Sequence, residues 1–295
     1  MVFKPLADRT RWEGVVACCW LALFDLLLVV WALRRPVDWL KFLFVFLAVI
    51  SLPLLAYWAY RTWAAFTLRY TVEREGLTVM WAGERRTISF GAMRQMMLAG
   101  VVETGRANPL CWPAPYLRTA HGLGVDKTTM LATAPLDECV VVEAADGAYA
   151  ISPAEATPLV ETMQARYAAY TPGAHVPSAA VAPVWTRALG GRAGPVLILA
   201  GLLGVLVLVG VLMVNFPSLP ETLALQYNSE GIPMAIRSKS ALFVLPIIGF
   251  LAWFVNGVGG MLMAMRNQPT GAYLLWGGAV LVQVCSLLAL ISIIP

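Results

Sequence analysis

Residues able to do chemistry are few and scattered. The chain holds two histidines, His121 and His175, in unlike contexts far apart, so neither an HExxH helix nor a paired-histidine metal site can form. Its five cysteines, Cys18, Cys19, Cys111, Cys139 and Cys285, have neither metal-ligand spacing nor a framework of pairs, and three of them fall in apolar runs where a thiol acts as a small hydrophobe. Gly122 to Thr128 has the outline of a phosphate loop. It lacks the glycine before Lys127, and the carboxylate of Asp126 would repel a phosphate. No strand-turn motif gathers a serine with a histidine and a carboxylate. The sequence therefore predicts no catalytic residue, no metal ligand and no cofactor, and nothing in it points to nucleic acid.

The most informative polar side chain is Asp25, because it stands within a long apolar run. A charge at mid-bilayer costs about 2.5–3.5 kcal/mol, so Asp25 should face protein or water, or hold a proton. Asn256 and Gln283, in two later apolar runs, are its expected hydrogen-bonding partners.

These runs define the architecture. Hydrophobic residues make up 59% of the 295 and charged residues 13%, about half the charged share of an ordinary soluble domain. Five windows suit a span of about 20 residues: Gly14–Leu33, Phe42–Tyr60 with Pro53 inside, Pro195–Val214, Ala241–Met265 and Gly271–Pro295. The first exceeds a signal-peptide core and is followed by Arg34 and Arg35, so it reads as a retained anchor. Ala200 with Gly204, and Gly260 with Ala264, have the small-xxx-small spacing of closely packed spans. Eight Lys and Arg flank the windows on the side of the N-terminus and central segment, against five on the other. That bias predicts a cytoplasmic N-terminus and central domain with an external C-terminus.

Between the second and third windows the pattern changes to period two, as in Tyr70 and Val72, then Leu77, Val79 and Trp81. These runs, with Arg86 to Phe90, predict an antiparallel meander. Cys139–Glu143 and Tyr149–Ile151 flank Ala145-Asp146-Gly147, a hairpin signal. Ser152, Pro153 and Glu155 then have the form of an N-cap, a first helical proline and a capping box, before Leu159, Val160, Met163 and Tyr167 at helical spacing.

Strands, a last hairpin and one terminal helix resemble the bacterial pleckstrin-homology-like (PH-like) domain. Tyr149-Ala150-Ile151-Ser152-Pro153 is similar to its hairpin-to-helix junction, and Tyr116 to Val125 with Met130 to Thr133 resembles a middle segment of membrane-tethered members. The resemblance implies an antiparallel PH-like β-barrel capped by one C-terminal helix. Eukaryotic relatives of that fold bind phosphoinositides, but Phe66 to Tyr170 carries nine Arg and Lys against eleven Asp and Glu, which gives little attraction to anionic headgroups. Protein contact is the expected use.

The segment between the third and fourth windows resembles the external loop of a membrane module shared with sporulation-delaying toxin immunity proteins. Leu219-Pro220, Tyr227-Asn228, Gly231 and Ser238-Lys239 carry the likeness, while Met234 and Ala235 stand where an acidic turn residue is expected. Physically, Asn228 and Gly231 tolerate positive φ, Pro220 stiffens the path and Tyr227 suits an interface.

The sequence thus predicts an α-helical membrane protein of about five spans with an inserted α+β domain. Its parts are a two-span hairpin (1–65), a PH-like domain (66–170), a linker (171–194) and a three-span module (195–295) with an external loop at 215–240. The expected function is a non-enzymatic scaffold, accessory subunit or assembly factor in a bacterial plasma membrane, with the lipid bilayer and other membrane proteins as partners. A sensor or toxin-immunity protein acting through the external loop is the alternative.

Overall fold

The protein is described by a computed structural model covering residues 1–98, 111–120, 128–170, 188–191, 193–227 and 233–294. Five helices are long and apolar enough to cross a membrane. Helices α1 (Thr10–Arg34) and α2 (Trp39–Thr67) start on aspartate caps: Asp8 Oδ1 accepts the Thr10 N–H at 2.9 Å, and Asp38 Oδ1 accepts that of Lys41 at 2.8 Å. Pro53 sits inside α2 without ending it. Contacts divide the chain into two units, residues 1–23 with 51–181 and residues 24–50 with 182–295.

The first unit contains the sheet domain. The expected meander forms from β2 (Arg69–Val72), β3 (Gly76–Trp81) and β4 (Glu84–Ser89), with Tyr70, Val72, Leu77, Val79 and Ile88 buried. A strand at the N-terminus, β1 (Val2–Phe3), extends it, pairing Val2 with Thr71 and Phe3 with Tyr70. Further along, Pro5 bridges to Pro153 and the Leu6 N–H donates to Ser152 O at 2.8 Å. Val2, Phe3, Pro5 and Leu6, in the segment expected with the helical hairpin, thus pair with the sheet domain.

A second sheet has the order β5-β8-β9-β7-β6, from β5 (Met93–Leu98), β6 (Leu117–Ala120), β7 (Thr128–Leu131), β8 (Val140–Ala144) and β9 (Gly147–Ile151). Among the described residues the expected antiparallel pairing holds for every neighbouring strand pair of the sheet domain but one. Among the described residues two separate sheets form rather than a closed barrel, and β7 pairs with β9 in parallel. The β8–β9 hairpin inserts between β5 and β7, so β9 fills the gap beside a strand it does not follow directly. Helix α3 (Ala156–Ala168) packs Leu159 and Met163 into one core with Phe90, Tyr149 and Ile151.

In the second unit, α4 (Ala193–Asn215), α5 (Val244–Met265) and α6 (Pro269–Ile293) pack through small residues. A Cβ on Gly204 would lie 2.7 Å from Gln283, and one on Gly260 would lie 2.6 Å from Cε2 of the buried Trp276. Trp276 Nε1 donates to Gly257 O at 3.2 Å and Trp253 Nε1 to Ile198 O at 2.9 Å, so both indoles also stitch helices together. Between α4 and α5 runs an antiparallel hairpin, β10 (Thr222–Tyr227) and β11 (Pro233–Ser238).

Candidate functional site

Asp25 lies on α1 and is 8% exposed. Of its two expected partners, Gln283 donates to a backbone oxygen instead. Gln283 is 3% exposed and its amide donates to Gly249 O at 2.7 Å, because Gly204 and Gly249 let α4 and α5 close onto that side chain. Asn256 is half-buried on α5.

In the expected external loop, Pro220 is exposed just ahead of β10 and Tyr227 ends that strand, while Asn228 and Gly231 lie outside the described residues. Lys239 folds back: its ammonium lies 3.0 Å from Glu221 Oε1 and 5.0 Å from the centre of the Phe216 ring, and its N–H donates to Glu221 O at 3.0 Å. This lysine closes the base of the hairpin.

The expected capping box at Ser152, Pro153 and Glu155 is corrected. The helix starts at Ala156, Glu155 holds the N-cap position without a side-chain cap bond, and Ser152 and Pro153 precede it in extended chain. Ser152 is engaged elsewhere. Its Oγ accepts the Thr133 N–H at 2.7 Å, its N–H donates to Tyr70 Oη at 3.1 Å, and Tyr70 Oη donates to Leu131 O at 2.7 Å. Burial pushes the Tyr70 phenol well above its ordinary range, against the opposing hydrogen bond with Ser152, so this network is a neutral structural tie between sheets. Two further groups are similarly held. Burial raises the Cys139 thiol to about 12, aided by the charges of Asp137 and Glu138. Burial also raises Tyr149 to about 12; its hydroxyl donates to Asp146 at 2.7 Å, and Arg86 stacks over its ring at 4.7 Å.

Arg61, which directly follows the second apolar window, is a clamp. Near the end of α2 and 9% exposed, its guanidinium donates to Leu117 O at 2.8 Å, to Cys111 O at 2.6 Å and to Ala114 O. Pro113 of the same segment seats against α1 and α2, where a Cβ on Gly14 would meet Thr62 Oγ1 at 2.5 Å and Pro113 Cγ at 2.6 Å. A planar fork with several donors suits three converging carbonyls.

A surface groove lies between β5 and α3, of about 230 Å³, lined by Phe90, Met93, Arg94, Gln95, Met96, Met163, Gln164 and Tyr167. Its floor is sulfur and aromatic carbon, its rim one guanidinium and two amides, and among the described residues no carboxylate lines it. Sequence reasoning placed Met163 and Tyr167 on a helix and missed the groove, because its lining converges from separate elements.

Five apolar helices and a small sheet domain define a multi-pass membrane protein with a PH-like module. Residues 68–167 match the family model of the bacterial PH domain, which covers the sheet domain from β2 through α3. No curated protein and no solved structure matches the chain.

Proposed function

We propose that the chain is a non-enzymatic membrane scaffold, accessory subunit or assembly factor that docks partner proteins through its PH-like domain and its spans. The observation that carries this reading is the apolar groove between β5 and α3, set in a domain that is tied to α1 and α2 by strand β1 and Arg61. Exposed helix faces add support: 6% of the apolar window of α2 and 17% of that of α1 is buried, which leaves both broadly open to lipid or to a partner's helices.

Strands β1 and β2 are neighbours, so α1 leaves and α2 returns on one side of the bilayer. The Lys and Arg bias supports a cytoplasmic setting for that side in a bacterial plasma membrane, with the C-terminus outside after three further crossings. The near-balance of charge on the domain favours protein over anionic headgroups as the bound species.

Crosslinking in native membranes followed by copurification in mild detergent tests the reading. Stoichiometric membrane-protein partners are the expected result. A chain recovered alone from crosslinked membranes would overturn it.

A further inference from the structure

The groove beside β5 narrows the chemistry of the docking partner, on the premise that the chain is a docking protein. Strand β5 ends its sheet. One edge pairs with β8, and among the described residues the other edge pairs with no strand. Such an edge presents backbone N–H and C=O groups to any extended chain that can lie against it. Proteins usually blunt these edges with a charge or a bulge, and β5 has both: Arg94 is the extra residue between the Met93–Ala144 and Gln95–Glu143 pairs. Beyond the bulge, Met96, Met97 and Leu98 pair in regular register with β8, so the blunting covers only one end of the strand. Met97 is 41% exposed there and Tyr167 on the facing helix 55%, both large apolar side chains left open to solvent.

Size and charge select among occupants. At about 230 Å³ the groove falls below the roughly 300–1,000 Å³ of small-molecule sites, but it has room for one or two side chains of a longer ligand. Three methionines in its lining give it an adaptable surface. Among the described residues the Arg94 guanidinium makes no salt bridge and no hydrogen bond, and its side chain is exposed at the rim. A lone cation over an apolar floor, on a domain that is otherwise slightly acidic, suits a single carboxylate next to an apolar side chain better than an anionic lipid surface.

We propose that β5 accepts an extended segment of a partner protein as an added strand, with an apolar side chain between Met96 and Tyr167 and an Asp or Glu opposite Arg94. Backbone hydrogen bonds to Gln95–Leu98 supply affinity, while the groove and Arg94 supply selectivity.

The test uses the full chain in phosphatidylcholine nanodiscs and a displayed library of ten-residue random peptides. Selected peptides should share an apolar residue close to an acidic one, and binding should slow amide exchange at Gln95–Leu98. N-methylation along a selected peptide should abolish binding at alternate positions only, which needs no change in the protein. Arg94→Glu should weaken acidic peptides about tenfold or more and favour Lys in their place, and Tyr167→Ala should weaken them without unfolding an exposed position. Binding that ignores N-methylation, or selection of helical or basic peptides, overturns strand addition. Partners crosslinked equally well by wild type and by the Arg94→Glu, Tyr167→Ala double variant also overturn it while leaving the docking reading intact. Absence of any partner for wild type removes that reading instead.

Discussion

Replacing Arg61 with alanine should loosen the segment 111–117 before anything else in the sheet domain. The side chain donates to three backbone carbonyls, those of Cys111, Ala114 and Leu117, from a position 9% exposed. Each charge-assisted bond contributes about 1.5–3 kcal/mol. The three losses do not add, because water follows the truncated side chain and solvates the freed oxygens. A net cost of about 3 kcal/mol is expected, in the range for removing one member of a buried charged cluster. In local opening that is about a 100-fold change. Hydrogen exchange of the full chain in nanodiscs reads it directly: amides at Leu117 and along β6 should exchange about 100-fold faster, while those of β3 and β8 change little. Arg61→Lys keeps the charge but loses the fork, so it should fall between the two. Exchange at Leu117 within twofold of wild type in Arg61→Ala would refute the clamp.

Other consequences are as direct. Cys139 is buried with its thiol raised to about 12, so at pH 8 it should resist maleimide until the domain is denatured; mass spectrometry after timed labelling decides. Tyr149 holds its proton more tightly folded than unfolded, from an ordinary 10.0 to about 12, so the stability it contributes is complete below pH 10 and is lost as pH rises toward 12. Denaturation across that range should show the loss, and Tyr149→Phe should make it shallower. Gly260→Leu forces Trp276 from its place and should cost about 1–3 kcal/mol, read as a lower melting temperature and altered indole emission in detergent.

Much of the fold was legible because it rests on local periodicity. Alternation at Tyr70, Val72, Leu77 and Val79 marked β2 and β3, Asp146-Gly147 marked the β8–β9 hairpin, and uncharged windows marked the helices. What escaped depends on distant partners. Strand β1 has two residues, too few to show a period, and exists because β2 offers it an edge. Ser152 has the spacing of a cap, yet Thr133 and Tyr70 bind it more effectively than the helix start does. The parallel pairing of β7 with β9 has no signature in either strand, since it arises from where a later hairpin inserts. Gln283 is expected from the sequence as a polar partner of Asp25, but its amide donates to a backbone oxygen that a glycine exposes, and carbonyls carry no sequence signal.

The three ties between the sheet domain and its helices have a mechanical consequence. Strand β1 pairs with β2 at the mouths of α1 and α2, the Arg61 fork holds the 111–117 segment, and Pro113 fills the space that Gly14 leaves beside Thr62. A domain joined by a single linker would turn freely and could offer its groove in any direction. Three attachments at separate points remove that freedom, so the edge of β5 that pairs with no described strand keeps a fixed relation to the parts of α1 and α2 in its own unit, residues 10–23 and 51–67. Those helices keep most of their apolar surface open. A partner that laid an extended segment along β5 and a helix against α1 or α2 would engage both at once, the second contact gaining from the effective concentration set by the first. Under the proposed function, Arg61→Ala should therefore weaken partner recovery even though Arg61 touches neither surface. Recovery unchanged despite loosened exchange at Leu117 would show that rigid presentation has no part in docking.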